Sequence, residues 1–191
     1  MSAPDGKHRC FGNGANQQTL AEYHDSEWGV CVRDDRLLFE MLTLEGAQAG
    51  LSWDTVLRKR EGYKAGFHNF DIDLVAAMDD ASLEALRENA AIIRNRLKIF
   101  STRSNAIAIQ AIQREFGSFS DYLWGFVDDC QLVNHFADIS QVPTSTPLSD
   151  RISKDMKKRG LRFVGTTIIY AYIEGVGLVD DHIETCWKRS G

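Results

Sequence analysis

Two sets of residues in this chain of 191 carry chemistry by type and spacing. The first is centred on Glu45. It stands seven residues after Leu38, four after Met41 and three after Leu42, so helical geometry sets its carboxyl on the apolar stripe of a helix predicted over 34–49. Burying an unpaired carboxylate costs roughly several kcal/mol, so such a group is paired, protonated or held for a polar ligand. The next residues, Gly46-Ala47-Gln48-Ala49-Gly50-Leu51-Ser52-Trp53, lead from small side chains through two glycines to a large aromatic. That run reads as a pocket wall beside a turn, with Gln48 on the wall. A core glutamate tied to a helix end or to an arginine fits the same pattern. The second set is Cys10, His24, His182 and Cys186, two near each end of the chain. His182 and Cys186 are four apart and can share one face of a helical turn. A Cys2His2 set fills all four tetrahedral positions, which describes a structural zinc with no open place for substrate. The spacing is weaker than paired Cys-x-x-Cys motifs, so chance placement of common ligands stands beside the zinc reading, and His8, Cys31 and His68 compete for the role.

The elements that must position these groups are helical. Residues 1–9 read as a flexible tail, residues 12–18 as a loop, and 10–191 as one helical domain. Asp34 caps the helix that carries Glu45, and a second helix is predicted over 53–61. Asp71 and Asp79 or Asp80 cap two short helices, and a long one covers 91–116 with Gly117 as its stop. The stretch 131–147, with Pro143 and Pro147, is predicted as a connecting loop. Ser149 is read as the cap of a helix over 150–159, closed by Gly160, and Thr166-Thr167 open an apolar helix through Ile173. A helix, a short glycine-bounded turn and another helix aim backbone N–H groups at one point, suited to a phosphate; a plain helical hairpin has the same signature.

With 43% apolar and 10% aromatic residues the chain can fill a substantial core. No run of about 18 apolar residues is present, and the first nine residues contain no apolar segment, so neither a membrane span nor a secretion signal is supported and a cytoplasmic location is expected. The net charge of −5 gives no overall attraction to nucleic acid. DNA binding would need a local basic surface, for which Arg58-Lys59-Arg60, the Arg94/Arg96/Lys98 group and the basic residues from Lys154 to Arg162 are candidates.

From Cys10 to Cys186 the chain resembles the bacterial 3-methyladenine-DNA glycosylase I family. The resemblance is carried by Tyr23-His24-Asp25-Ser26-Glu27-Trp28-Gly29, by Leu38-Phe39-Glu40-Met41 leading to Leu44-Glu45-Gly46 through Trp53, by Ile92-Ile93-Arg94-Asn95-Arg96 and by Phe163-Val164-Gly165-Thr166-Thr167, in that order. It implies an all-helical, helix-hairpin-helix fold whose termini are joined by a structural zinc on Cys10, His24, His182 and Cys186. It implies an enzyme that cleaves the base-sugar bond of 3-methyladenine in double-stranded DNA, releasing the free base; a monomer is expected, since the sequence gives no positive sign of oligomerisation. Glu45 would face the extruded base as the catalytic group. Tyr23, Trp28, Trp53, Phe11 and Gln48 would complete the pocket, and Gly50 and Leu51 would fill the gap left in the duplex. The clamp on the DNA backbone would comprise Gly160, Arg162, Phe163, Gly165, Thr166 and Thr167.

Two departures from the family pattern fall on the pocket roof. Leu20 stands where a tyrosine is common, and the Cys10 to His24 interval is lengthened, with Phe11 directly after the cysteine. A non-catalytic protein that binds damaged bases is therefore the alternative. Asp181, beside His182, is read as a partner that orients a zinc-bound imidazole or caps a helix.

Overall fold

The structure, a computed structural model, describes residues 5–48 and 50–189. Ala49, the last residue of the predicted 34–49 helix, lies outside the described residues, as do residues 1–4 and 190–191 of the expected tail and domain.

The fold is organised around α2 (Asp35–Gln48), in which every residue from Leu38 to Ala47 is buried. A helix covered on all sides belongs at the centre of a helical protein rather than at its surface. Asp34 accepts the N–H of Leu37 at 2.8 Å and so starts it as expected. Asp35 accepts the backbone N–H groups of Phe119 and Ser120, both at 2.8 Å, docking the start of α8 (Phe119–Trp124) against the start of α2. In front of α2 lies α1 (Gln18–Ser26), a helix that begins at the last residue of the stretch expected as a loop.

The predicted 53–61 helix is two helices, α3 (Trp53–Leu57), capped by Ser52, and α4 (Arg60–Gly66). The break turns Arg60 inward, where its guanidinium pairs with Glu40 and Glu27. Asp71 and Asp79 cap α5 (Ile72–Ala76) and α6 (Asp80–Ala85). The long helix, α7 (Arg96–Phe116), starts five residues later than predicted, because the Asn95 side chain accepts the Lys98 N–H at 3.1 Å and caps it there. Gly117 ends it. α5 packs on α7, and α7 packs on α2 and α8.

The last two helices are α9 (Pro147–Lys158) and α10 (Thr166–Gly175), packed on each other, with α10 also against α2. The predicted cap of α9 is corrected: Thr146 is the cap, Pro147 takes the first helical position, and Ser149 is the third residue of a capping box whose hydroxyl accepts the Thr146 N–H at 2.9 Å. Pro147 lacks the N–H that a mid-helix position requires, and its fixed φ suits the first turn. The loop over 131–147 holds one short strand, β1 (Leu132–Val133), parallel to β2 (Val179–Asp180) with Leu132 opposite Val179. These two-residue strands leave the fold helical. Among the described residues no helix is long and apolar enough to cross a membrane.

Candidate functional site

Two glutamates on α2 are fully buried, and their partners separate them. Glu40, 0% exposed, accepts from Arg60 Nε at 2.5 Å. Arg60 in turn donates to both oxygens of Glu27 at 2.7 Å. That is the core glutamate tied to an arginine. Glu45, 4% exposed, has no such counterion, and its Oε2 is buried without a hydrogen-bond partner among the described residues. Burial pushes its carboxyl up to about 8. Glu40 Oε2 also lacks a hydrogen bond but has the Arg36 guanidinium at 3.9 Å, whereas the Glu45 oxygen is orphaned with no such cation among the described residues, which points to a ligand.

Glu45 opens into a cavity of about 300 Å³ lined by Phe11, Leu20, Tyr23, Trp28, Gln48, Trp53, Ala171 and Glu174 as well. All six residues expected around a substrate therefore share one cavity. The Tyr23 and Trp53 rings meet edge-on at 5.3 Å, and Phe11 meets Trp28 edge-on at 5.1 Å. Tyr23 is supplied by α1, Glu45 and Gln48 by α2, and Trp53 by α3, which packs on both. Larger hollows of about 370 and 400 Å³ lie elsewhere, but neither combines an orphaned carboxyl with an aromatic wall. Burial, then the charge of Glu45, hold the Tyr23 phenol well above its ordinary range, so it is a neutral hydrogen-bonding group.

Sequence reasoning missed Glu174. It sits at the end of α10, where burial first, then the charge and hydrogen bond of Asp181, push its carboxyl up to about 9. The signal was available: a lone carboxyl between Ile173 and Gly175 on an apolar helix, the same argument that singled out Glu45. Leu20, noted only as a departure, lines the same roof.

Below the cavity lies the thiol-imidazole cluster. The ligand atoms of Cys10, His24 and Cys186 all lie within 4.8 Å of one another and are buried. His24 Nε2 is 3.4 Å from Cys186 Sγ. The His182 ring is 5.1 Å from that of His24, and its Nε2 is buried with no hydrogen-bond partner among the described residues. Each imidazole gives its other nitrogen to a carboxylate: His24 Nδ1 to Asp25 at 2.9 Å and His182 Nδ1 to Asp180 at 2.6 Å. A carboxylate on Nδ1 fixes each ring, but only His24 joins the two thiols within 4.8 Å, and its Nε2 also accepts the Cys10 N–H at 3.3 Å, while His182, the fourth expected ligand, lies outside that group. Asp25 also accepts from the buried Arg9 guanidinium. The expectation for Asp181 is corrected. Its carboxylate accepts from Tyr170 at 2.5 Å and Asn134 at 2.7 Å, and the neighbouring Asp180 orients the imidazole. His182 lies in irregular chain and Cys186 at the junction of two turns, not on one helix. Of the rival ligands, His8 Nδ1 faces the Thr185 carbonyl, and Cys31 and His68 are exposed.

Between α9 and α10 the chain turns through Gly160, Arg162, Phe163 and Gly165. Phe163 adopts φ 57°, in the left-handed region that bulky residues avoid, and Gly165 gives α10 no side-chain cap. Its first backbone N–H groups are thus left to other acceptors. Lys157, Arg162 and Leu97 flank a hollow at this turn. Gly50 and Leu51 are exposed at the turn after α2, Leu51 by 42%. Several of the basic candidates are engaged within the fold: Arg58 with Asp54, Lys59 with the Ala90 carbonyl, Arg60 as above, and Arg96 with Glu84.

Comparison with known proteins gives the same direction. The family described as Methyladenine glycosylase matches residues 13–189. DNA-3-methyladenine glycosylase 1 of Escherichia coli (strain K12) is 49% identical over 164 residues, 86% of this chain and 88% of that protein. A crystal structure of 3-methyladenine DNA glycosylase I superposes with a TM-score of 0.92 at 48% identity, covering 96% of this chain and 100% of the other. A variant of 3-methyladenine DNA glycosylase I in complex with 3-methyladenine superposes with a TM-score of 0.91 at 30% identity, covering 94% and 97%.

Proposed function

The chain belongs to the methyladenine glycosylase family, and from that premise we propose how its own residues carry out the reaction. It is a base-excision repair glycosylase that hydrolyses the N-glycosidic bond of 3-methyladenine in alkylated DNA, freeing the base and leaving an abasic site. Methylation at N3 puts a positive charge on adenine, so the base departs neutral and needs little acid catalysis. Selection of the lesion is then the larger task. Unstacking a base costs roughly a few kcal/mol, least for damaged ones. A cation among aromatic faces recovers on the order of 0.5–2 kcal/mol.

In this reading Glu45 accepts hydrogen bonds from the amino edge of the base, and its charge favours both the cationic lesion and the oxocarbenium-like sugar that forms as the bond breaks. Tyr23, Trp28, Trp53 and Phe11 supply the aromatic walls, and Gln48 a polar contact. Gly50 and Leu51 enter the duplex gap. The turn from Gly160 through Arg162, Phe163, Gly165, Thr166 and Thr167 grips the backbone with the uncapped N–H groups of α10. A zinc ion on Cys10, His24, His182 and Cys186 would supply no chemistry to the reaction. Its four protein ligands close the coordination sphere, and it would clip the two ends of the chain beneath the pocket. The donor set fits, because the two Nε2 atoms and two thiols are what such an ion takes. The protein is read as a cytoplasmic monomer whose helical domain, in the helix-hairpin-helix class, spans 10–191 behind a tail at 1–9.

One observation carries this reading: the orphaned Glu45 carboxyl inside an aromatic cavity. The test is base release from DNA containing 3-methyladenine, with 7-methylguanine DNA as the selectivity control. Rapid loss of 3-methyladenine with little release of 7-methylguanine is expected. Binding of alkylated DNA with no release of base would leave the non-catalytic alternative instead.

A further inference from the structure

One face of α7 holds both of the segments assigned above to DNA, although it does not line the base cavity. Asn105, 4% exposed, uses both ends of its amide on one residue of the turn. Its Oδ1 accepts the Arg162 N–H at 2.8 Å, and its Nδ2 donates to the Arg162 carbonyl at 3.0 Å. Seven residues earlier, two turns along the same face, Lys98 Nζ donates to the Ala47 carbonyl at 2.8 Å. Ala47 is in the last turn of α2, whose free carbonyls attract a cation, and the chain passes from there to Gly50 and Leu51. Between these two anchors α2 and the turn are in direct contact. A Cβ on Gly46 would lie 3.1 Å from Phe163 Cβ, tighter than most packed carbons. The seam left there, about 10 Å³, has no room for a ligand.

A buried amide spent wholly on the backbone of one exposed turn fixes where that turn sits. The turn needs no such bond for its own sake, since water satisfies the backbone of ordinary surface turns. We propose that Lys98 and Asn105 are positioning residues for base extrusion, setting the spacing between the gap-filling loop at Gly50 and Leu51 and the phosphate-binding turn around Arg162. The inference rests on the reading of those two segments given under the proposed function. Its consequence is a separation of effects. The cavity that binds the free base lies on the other side of α2, so loosening the clamp spares base binding and slows excision from duplex DNA, where both segments must engage at once.

The test compares Lys98→Met, Lys98→Arg and Asn105→Ala by three readouts: affinity for free 3-methyladenine from tryptophan fluorescence, single-turnover base release from duplex DNA, and fluorescence of 2-aminopurine beside the lesion as a report of unstacking. A displacement of about 1 Å between cooperating groups costs on the order of 100-fold in rate. Lys98→Met is expected to keep its affinity for the free base within about twofold while excision and unstacking slow by about 30-fold or more, with Lys98→Arg recovering most of the loss. Asn105→Ala also removes both hydrogen bonds of a buried amide and costs stability, so Lys98→Met decides. Equal losses of base affinity and excision would reveal a general structural role and overturn the proposal, as would unchanged excision. Leu51→Ala and Arg162→Ala run alongside. If both leave DNA affinity and excision intact, the assignment of the two segments fails and takes this inference with it. If both impair them while Lys98→Met does not, the clamp alone is wrong.

Discussion

Glu40 and Glu45 are five residues apart on one helix, and the difference between them is what a residue-level argument can and cannot reach. Spacing in the sequence showed that Glu45 faces the apolar side; it did not show which glutamate had found an arginine, because Arg60 comes from a helix break invisible in the periodicity. The unpaired one has a measurable signature. Raised by burial from 4.5 to about 8, the Glu45 carboxyl binds its proton more tightly in the folded chain than in the unfolded one. Folding stability is therefore lost progressively as pH rises from about 4.5 to about 8, and the loss is complete above that. Glu45→Gln removes this penalty, and at about 1.4 kcal/mol per pKa unit the variant should be more stable than the parent by roughly 2–5 kcal/mol at pH 8, the gap closing towards pH 5. Denaturant melts at the two pH values measure it. Excision should move the other way. Single-turnover release should rise with pH as Glu45 ionises, and the Gln variant should be slower by about 100-fold or more with a flat profile. A variant no more stable than the parent at pH 8 would mean that the carboxyl has a partner.

At the scale of elements, α2, the end of α7 and the end of α9 were legible because each has an internal signal, Asp34, Gly117 and Gly160, whereas α1, which carries Tyr23, and the Asn95 cap of α7 were not. What failed was local competition between neighbouring signals. Ser149 and Thr146 are both good caps three residues apart, and the choice between them is made by Pro147, which only the first turn tolerates. The two-residue strands escaped notice because their pairing joins residues 47 apart, as Leu132 to Val179, with no pattern of their own. The cap assignment is testable. Thr146→Ala should destabilise the protein by about 1 kcal/mol, and Ser149→Ala should also cost stability through the lost reciprocal bond. Thermal melts would show this; excision per folded molecule should stay unchanged in Thr146→Ala, whereas Ser149→Ala also removes the 2.8 Å contact of its hydroxyl with Thr166 in the turn assigned to DNA. An equal loss from excision by folded protein would mean that the start of α9 is part of the DNA surface.

The whole molecule is acidic, and its two ends are brought together by side chains 176 residues apart, Cys10 and Cys186. Ligand types near the two termini were enough to suggest that closure from sequence, and three of the four ligand atoms converge within 4.8 Å. The carboxylates that aim the imidazoles were not legible, because Asp180 and Asp181 are adjacent and only geometry tells which one reaches His182. With zinc bound, metal analysis should find one equivalent per chain, and chelation should lower the melting temperature by several degrees or more, because metal binding there is folding free energy. A fully stable, metal-free protein would contradict the four-ligand site.

A net charge of −5 repels DNA at long range, and several of the expected basic groups are paired with carboxylates, Arg60 with the buried Glu40 and with Glu27, and Arg58 and Arg96 with Asp54 and Glu84 at the surface. Neutralising Z phosphates gives a slope near −0.9Z when log affinity is plotted against log salt, so a turn gripping about two to four phosphates should give a slope of about −2 to −4. Arg162→Ala should reduce that slope by about one unit and weaken binding evenly across sequences. Once the base is in the pocket, screening outside matters little to a carboxyl buried in it. Single-turnover excision at saturating protein should accordingly vary little between about 50 and 200 mM salt while affinity falls, and a rate that falls in step with affinity would show that catalysis, not only docking, depends on exposed charge.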